Sequence, residues 1–211
     1  MLTAKDIHFS YGDFKVLDGV SFQISAGEHV ALTGANGSGK STLLAIIAGI
    51  IKPDSGEVIN EFAGTPAFVI QQPRFSEQMP LTVMQAVCMG RWADKGMLKK
   101  LTQADKEIVE KAMEQTRITD LRGRQIAELS GGQKQRVLLA QGIAQEAPLL
   151  LLDEPGTGLD SEAEHQMVLM ISNLAASGVA VIQATHDVDV AKHAGRILHL
   201  KDGLIVPIGR N

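Results

Sequence analysis

The sequence predicts an α/β fold with an inserted all-helical subdomain, and three observations carry that prediction. Residues 1–72 contain several short apolar or alternating segments, which is the pattern of strands. Residues 73–148 show helical spacing with almost no strand signal between the helices. Residues 149–211 return to apolar strands that alternate with helices, which is typical of a sheet covered by helices.

The first part contains two alternating segments, 2–9 and 16–24, separated by the turn "SYGDFK". A short apolar strand at 28–33 then leads directly into a glycine-rich loop. We expect a helix from Lys40 to Ile50, because Gly49 and "KPDSG" are strong stop signals. A further buried strand is predicted at 67–70.

The elements after residue 73 are predicted from the spacing and number of apolar residues. The expected elements are three helices in "LTVMQAVCMGRW", "TQADKEIVEKAMEQT" and "QKQRVLLAQGIAQ", a buried strand "LLLLD", a helix at 161–175, a strand "VAVIQAT", a short helix near 187–194, and a strand "RILHL" before a turn at "KDG".

Composition and charge limit the classes of function. The chain of 211 residues suffices for one well-cored domain, so we expect a single domain over 1–211. The net charge is −4 and no basic run is present, which argues against nucleic-acid binding. Cys88 is the only cysteine, so no internal disulfide can form. Without a leader-like start or a membrane-length apolar run, we expect a cytosolic protein.

The glycine-rich loop "GANGSGKST" fits the pattern G-x4-G-K-[ST] between a strand and a helix, the context that supports nucleoside triphosphate binding. Its glycines let backbone N–H groups turn toward a β-phosphate. Lys40 supplies a positive charge, and the Ser41 hydroxyl can bind Mg²⁺. The alternative is a glycine-rich turn with an unrelated lysine. The predicted phosphate-binding residues are Gly34, Asn36, Gly37, Ser38, Gly39, Lys40, Ser41 and Thr42.

Two carboxylates follow the predicted strand "LLLLD", at the end where an α/β sheet presents ligand-binding groups. Asp153 is the candidate for holding Mg²⁺, and Glu154 is the candidate general base for an attacking water. The alternative is two exposed carboxylates that cap the next turn. The glycine-rich loop makes that alternative much weaker.

Three single residues give weaker signals. Gln71 could reach Mg²⁺ and the attacking water, although a loop glutamine is normally only solvated. His186 could contact a γ-phosphate, although a lone histidine is more often structural. Tyr11, placed in a turn, could stack on adenine or pack on its own strand. The other histidines form no metal-ligand spacing and are expected to be structural: His8, His29, His165, His193 and His199.

"LSGGQ" at 129–133 is a second candidate anion cradle at a helix start. With this motif in order among the others, the chain resembles the ATP-binding subunit of ABC transporters along essentially its whole length. That resemblance implies a P-loop NTPase (RecA-like) core with an antiparallel β subdomain, and ATP and Mg²⁺ as cofactors. It divides the chain into a nucleotide-binding core, 1–72 and 149–211, and a helical subdomain, 73–148.

The resemblance also implies roles for particular residues. Tyr11 would lie against adenine, Gln71 would be the Q-loop glutamine, and His186 would be the switch histidine. The metal would be held by Ser41, Gln71 and Asp153, and catalysis would use Glu154, His186 and Gln71. The signature and D-loop residues implied to contact nucleotide are Ser130, Gly131, Gly132, Gln133 and Asp160.

The sequence departs from the family pattern at three places. Ala35 stands where proline is common, which should be harmless. "EPGTGLD" replaces the usual "EPTAGLD" or "EPTSALD", so Gly156 is expected to loosen the D-loop. Gln72 follows Gln71, which leaves open which of the two reaches the metal.

The family implies several partners. Two copies would sandwich two ATP molecules head to tail, with the signature of one copy closing over the ATP of the other. A membrane permease subunit, and through it a solute-binding protein, would complete the transporter, with this chain peripheral on the cytoplasmic face of the inner or plasma membrane.

The helical segment carries a finer resemblance. "PLTVMQAVCMGRW" and residues 101–146 are similar to metal-cation importers, the zinc branch in particular. Shared helical packing is the alternative explanation for that likeness, and an exporter or other non-metal transporter is the alternative function. ABC ATPases of DNA repair or translation and P-loop kinases fit less well, because the chain has one cassette, no coiled-coil insert, and the signature motif.

Overall fold

The computed structural model describes residues 1–70, 80–92, 96 and 99–207. It confirms an α/β fold with two sheets. The elements in chain order are β1 Leu2–Tyr11, β2 Phe14–Ile24, β3 His29–Thr33, α1 Lys40–Ile47, β4 Ser55–Asn60, β5 Ala67–Val69, α2 Val83–Met89, α3 Gln103–Gln115, α4 Gly131–Ile143, β6 Leu149–Asp153, α5 Ser161–Ala176, β7 Ala180–Thr185, α6 Val188–Ala191, β8 Arg196–Lys201 and β9 Leu204–Val206.

The smaller sheet is antiparallel, with strand order β2-β1-β4. Tyr11 pairs with Phe14 across a two-residue connection in which Gly12 has φ +58°. The expectation that Tyr11 lies in a turn is therefore wrong. Only Gly12 and Asp13 form the turn, because a glycine there accepts the positive φ that a tight hairpin requires, and the strand continues to Tyr11.

The larger sheet has strand order β5-β6-β7-β3-β8-β9, parallel except for the last pair. Every residue of β6 and β7 is buried, as expected for central strands covered on both faces. Since β3, β6 and β7 run parallel side by side, their carboxyl ends meet at one edge. The glycine-rich loop, Asp153–Glu154 and His186 follow those three ends.

The helical segment forms a second hydrophobic core, in which Val87, Met113 and Val137 come from α2, α3 and α4 and are fully buried. All three helices begin with a capping box, in which the first side chain and the side chain three residues on satisfy each other's backbone N–H groups. Among the described residues, no helix is both long enough and apolar enough to cross a bilayer.

Two strands were not predicted, and two helices are shorter than expected. The helix expected near 187–194 spans only Val188–Ala191. β4 is an exposed edge strand in which only Val58 is half-buried, so it lacks the alternation that reveals a strand. β9 is only three residues long. The helix after the glycine-rich loop ends at Ile47, three residues early, because Gly49 adopts φ +75° just beyond its cap.

Candidate nucleotide-binding site

The glycine-rich loop joins the end of β3 to the start of α1, and two of its glycines are required by close packing. A β-carbon at Gly34 would lie 2.4 Å from the carbonyl oxygen of Leu200. Gly39, with φ +100°, caps the helix, and a β-carbon there would lie 2.9 Å from Cγ1 of Val16. The loop is thereby held tightly against β2 and β8.

Lys40 begins α1 and is only 5% exposed. Its Nζ donates hydrogen bonds to the carbonyl oxygens of Gly34 at 3.0 Å and Ala35 at 3.1 Å. The same ammonium lies 3.7 Å from Oε1 of Glu154. A buried cation is thus held at the mouth of the loop, where it can meet the charge of a phosphate.

Asp153 is the last residue of β6 and is buried. Burial raises the pKa of its carboxyl group, and the neighbouring Glu154 raises it further, while a hydrogen bond from Ser41 and the charge of Lys40 oppose the shift. The carboxylate of Asp153 and the hydroxyl of Ser41 both offer oxygen atoms, and oxygen atoms are the ligands that Mg²⁺ prefers. The residues present therefore fit a magnesium ion.

Glu154 turns out of the strand with φ +49°, a left-handed conformation that is uncommon for a residue other than glycine. Its backbone N–H donates to the carbonyl oxygen of Ala184 at 3.1 Å, which fixes it to β7. Its Oε2 accepts a hydrogen bond from the Thr157 hydroxyl at 2.9 Å and lies 3.3 Å from Nδ1 of His186. The carboxylate is 13% exposed, and His186 is about half exposed.

An open cavity of about 450 Å³ connects the aromatic end of the β1–β2 hairpin to these polar groups. Tyr11 and Phe14 lie at one end, and Lys40, Ser41 and Glu154 at the other. The predicted residues Asn36, Gly37, Gly39 and Thr42 also line it. Oγ of Ser38 is buried without a hydrogen-bond partner in the described part of the chain.

Phe14 and Thr157 are two site residues that the sequence reasoning missed. Phe14 is 69% exposed, against 55% for Tyr11, whose ring also packs edge-on against Phe9 at 4.9 Å. The signal for Phe14 was present, since it is the other aromatic residue of "SYGDFK". Nothing in the sequence indicated that the hydroxyl of Thr157 bonds to Glu154.

The "LSGGQ" segment, residues 129–133, lies at the start of α4, and none of its residues lines the 450 Å³ cavity. Ser130 caps the helix, and its hydroxyl accepts from the N–H of Gln133 at 3.3 Å. A β-carbon at Gly131 would meet nothing within 4 Å among the described residues, so this helix start is open to an approaching group.

Asp160 and Gln71 are the two remaining predicted positions. The Asp160 carboxylate caps α5 by accepting from the N–H of Ala163 at 2.8 Å. Gln71 and Gln72 lie outside the described residues.

A family model described as ABC transporter matches residues 17–157. The chelated iron transport system membrane protein YfeB of Yersinia pestis is 39% identical over 191 residues, which cover 86% of this chain and 64% of YfeB. The zinc uptake ATP-binding protein ZnuC of Bacillus subtilis is 35% identical over 212 residues, covering 96% of this chain and 92% of ZnuC. The chain thus spans 64% of the length of the first relative and nearly all of the second.

Among the solved structures that share the fold at more than a quarter sequence identity are an ABC transporter and a dimeric cassette. A transporter described as metal-chelate type, in an inward-facing conformation, gives a TM-score of 0.87 at 31% identity and covers 96% of this chain and 80% of its own. The dimeric ATP-binding cassette MJ0796, in a post-hydrolysis state with ADP and phosphate, gives 0.83 at 28% identity and covers 97% and 96%.

Proposed function

The chain belongs to the ABC transporter family, and on that premise we propose that it is the ATPase subunit of an importer of a metal cation, with zinc as the first candidate. Cassettes of this family bind and hydrolyse ATP, so the chain is an ATPase. The main structural support for ATP hydrolysis is that Lys40, Asp153 and Glu154 lie together at one edge of the parallel sheet.

In the proposed reaction, the loop at 34–42 cradles the phosphates of ATP, and Tyr11 stacks on adenine. Lys40 leaves its two carbonyl partners to stabilise the charge of the terminal phosphates. Glu154 takes a proton from the attacking water on its Oε1, the oxygen that faces Lys40. His186 stands beside the other carboxylate oxygen, where it can bind the γ-phosphate and respond to its release.

Magnesium would be held by Ser41, Gln71 and Asp153. When bound it would partly neutralise the phosphate charge. The chain's contribution is to present the buried Asp153 carboxylate and the Ser41 hydroxyl together at the sheet edge.

We further propose that two copies form an ATP-dependent head-to-tail dimer. Ser130, Gly131, Gly132 and Gln133 of one copy would close over the ATP held by the loop of the other, with Asp160 near the contact. The open helix start at Gly131 and the absence of the signature from the lining of the cavity support this division of the site. The dimeric MJ0796 cassette, a structural neighbour, supports it further.

The other proposed partners are the membrane permease and the solute-binding protein of a transporter. A membrane permease would dock on the helical part of the chain, residues 73–148, and would move as that part shifts against the nucleotide-binding core, 1–72 and 149–211. A solute-binding protein would act through the permease without touching this chain. The chain would lie peripherally on the cytoplasmic face of the inner or plasma membrane.

Uptake measurements in cells that lack the chromosomal gene test the cargo. Cells complemented with the wild-type chain should accumulate zinc, and cells complemented with Lys40→Ala should not, while exposed Lys5→Ala serves as the control. Accumulation of manganese or iron instead would replace zinc within the same function. Increased retention of a solute in the Lys40→Ala cells would indicate an exporter and overturn the proposed direction.

A further inference from the structure

The segment "EPGTGLD", which ends in the D-loop "GLD", has a glycine at 156 and a hydroxyl residue at 157. The Thr157 hydroxyl donates to Oε2 of Glu154 at 2.9 Å, a good distance for a hydrogen bond to a carboxylate. The backbone N–H of Thr157 donates to the carbonyl oxygen of the same Glu154 at 3.2 Å. Side chain and backbone of Thr157 therefore both bind Glu154.

The two oxygens of the Glu154 carboxylate have different surroundings. Oε2 faces Thr157 and His186, on the D-loop side. Oε1 faces Lys40 and the glycine-rich loop, at 3.7 Å. A carboxylate on a flexible side chain could exchange these two oxygens or turn away from the loop, and the bond from Thr157 opposes both movements.

The same turn leads to the next helix. The N–H of Leu159 donates to the carbonyl oxygen of Gly156 at 3.1 Å, and Asp160 then caps α5. A displacement of this short, internally bonded turn would carry Thr157 with it. The orientation of the Glu154 carboxylate is thereby linked to the position of the D-loop.

We propose that Thr157 is a positioning residue, whose hydroxyl holds Oε2 of Glu154 so that Oε1 accepts the proton of the attacking water. This inference rests on the proposed role of Glu154 as general base. In the step itself, an O–H bond of the water breaks and its proton moves to Oε1, while the water oxygen forms a bond to the γ-phosphorus and the bond from that phosphorus to the bridging oxygen breaks, which releases ADP. The hydroxyl proton of Thr157 remains on Oγ1. Thr157 is assigned no contact with the water or the phosphate and acts through Glu154.

The test compares Thr157→Val, which removes the hydroxyl at nearly constant volume, with Thr157→Ser, which keeps it. In the purified full chain we expect Thr157→Val to lower kcat for ATP about tenfold, equivalent to ~1.4 kcal/mol. The KM for ATP should change by less than about twofold, because the bond does not involve substrate. Thr157→Ser should recover most of kcat, and the exposed Thr65→Val should behave as wild type.

A double variant shows whether Thr157 acts through Glu154. In a Glu154→Gln background, adding Thr157→Val should lower the residual single-turnover rate much less than it does alone, because the group being positioned is no longer a base. An undiminished effect in that background, or an unchanged kcat in Thr157→Val, would overturn the inference. If Thr157→Val fails to fold, Thr157→Ala removes the same hydroxyl and is judged by the same outcomes.

The two proposals fail in different ways. Full activity of Glu154→Gln would remove the base and with it the role of Thr157. An inactive Glu154→Gln together with a fully active Thr157→Val would leave the base intact and reject only the positioning role.

Discussion

Nζ of Lys40 lies 3.7 Å from Oε1 of Glu154, and both side chains are almost entirely removed from solvent. The lysine makes its hydrogen bonds to two carbonyl oxygens of its own loop, at 3.0 and 3.1 Å. Its charge is therefore stabilised by three oxygens that belong to two different elements. A phosphate oxygen that reached the loop would compete for the same ammonium.

Removal of this ammonium should weaken ATP binding. In Lys40→Met the loop keeps its backbone N–H groups but loses a charge-assisted bond, so we expect the affinity for ATP to fall by about 10- to 100-fold. Equilibrium binding of a fluorescent ATP analogue measures the loss. Lys5→Met, at an exposed lysine that pairs with Glu57, is the matched control, and equal affinities of the two variants would contradict the prediction.

Substitution of the proposed base should separate binding from hydrolysis. Glu154→Gln retains the shape of the side chain but cannot accept the proton, so we expect kcat to fall by about 10²–10⁴ while ATP still binds. Size-exclusion chromatography with ATP should show an accumulated dimer. Glu162→Gln, on the exposed start of α5, is the control, and normal turnover in Glu154→Gln would show that another group is the base.

The parallel sheet and the phosphate loop were predictable from the sequence, because buried strands are continuous apolar runs and the loop has a fixed spacing. The segment "LLLLD" coincides with β6, and "VAVIQAT" overlaps β7 by six residues. Exposed elements carry no such signal. β4 is missing from the prediction because its alternate residues do not differ in burial.

Two further differences concern short-range contacts that depend on backbone geometry. The assignment of Tyr11 to a turn failed because cross-strand pairing with Phe14 extends β1 by two residues beyond the alternating pattern. The bond between Thr157 and Glu154 depends on the left-handed backbone of Glu154, which no local composition indicates. The expected loosening of the D-loop by Gly156 stays a prediction.

The signature serine should be needed for dimer formation and not for ATP binding by the monomer. In Ser130→Arg a bulky cation occupies the open helix start, so we expect the ATP-dependent dimer to be lost. The substitution also removes a helix cap, which costs about 0.5–2 kcal/mol of stability. Thr82→Arg removes an equivalent capping box from α2 and controls for that loss.

Analytical ultracentrifugation of both variants with ATP, in the Glu154→Gln background, separates the two effects. Dimers in Thr82→Arg and monomers in Ser130→Arg are the expected result. Weakened nucleotide binding by monomeric Ser130→Arg would contradict the assignment of Ser130 to the partner's site.

Tyr11, at the aromatic end of the cavity, should bind the purine base of the nucleotide by stacking on its ring face. Tyr11→Ala should weaken ATP and GTP binding by a similar factor, since stacking is insensitive to the hydrogen-bonding edge of a purine; base–aromatic contacts contribute about 1–3 kcal/mol. Tyr11→Phe keeps the ring and should bind normally. An unchanged affinity in Tyr11→Ala would shift the stacking role to Phe14, which lines the same cavity and is more exposed.

Asp153 should make the protein less stable as the pH rises. Burial holds the pKa of its carboxyl group above the ordinary value for aspartate, so between those two values the native state keeps a proton that the unfolded chain releases. The free energy of unfolding therefore falls as pH rises through this interval and stays lowered above it. Asp153→Asn removes this effect, because an amide does not ionise.

We accordingly expect Asp153→Asn, without nucleotide or magnesium, to unfold at a higher temperature than wild type at neutral pH. The gain should vanish below about pH 3.9, where aspartate is protonated even in the unfolded chain. Asp189→Asn is the control with opposite sign, because a hydrogen bond and the charge of Lys192 lower the pKa of Asp189. That site is fully exposed and its effect should be small. If the variant and wild type unfold at the same temperature across the whole pH range, ionisation of the buried carboxylate does not destabilise the fold. If the variant is more stable at neutral pH but loses magnesium-dependent ATP affinity, Asp153 serves ligand binding at the expense of stability.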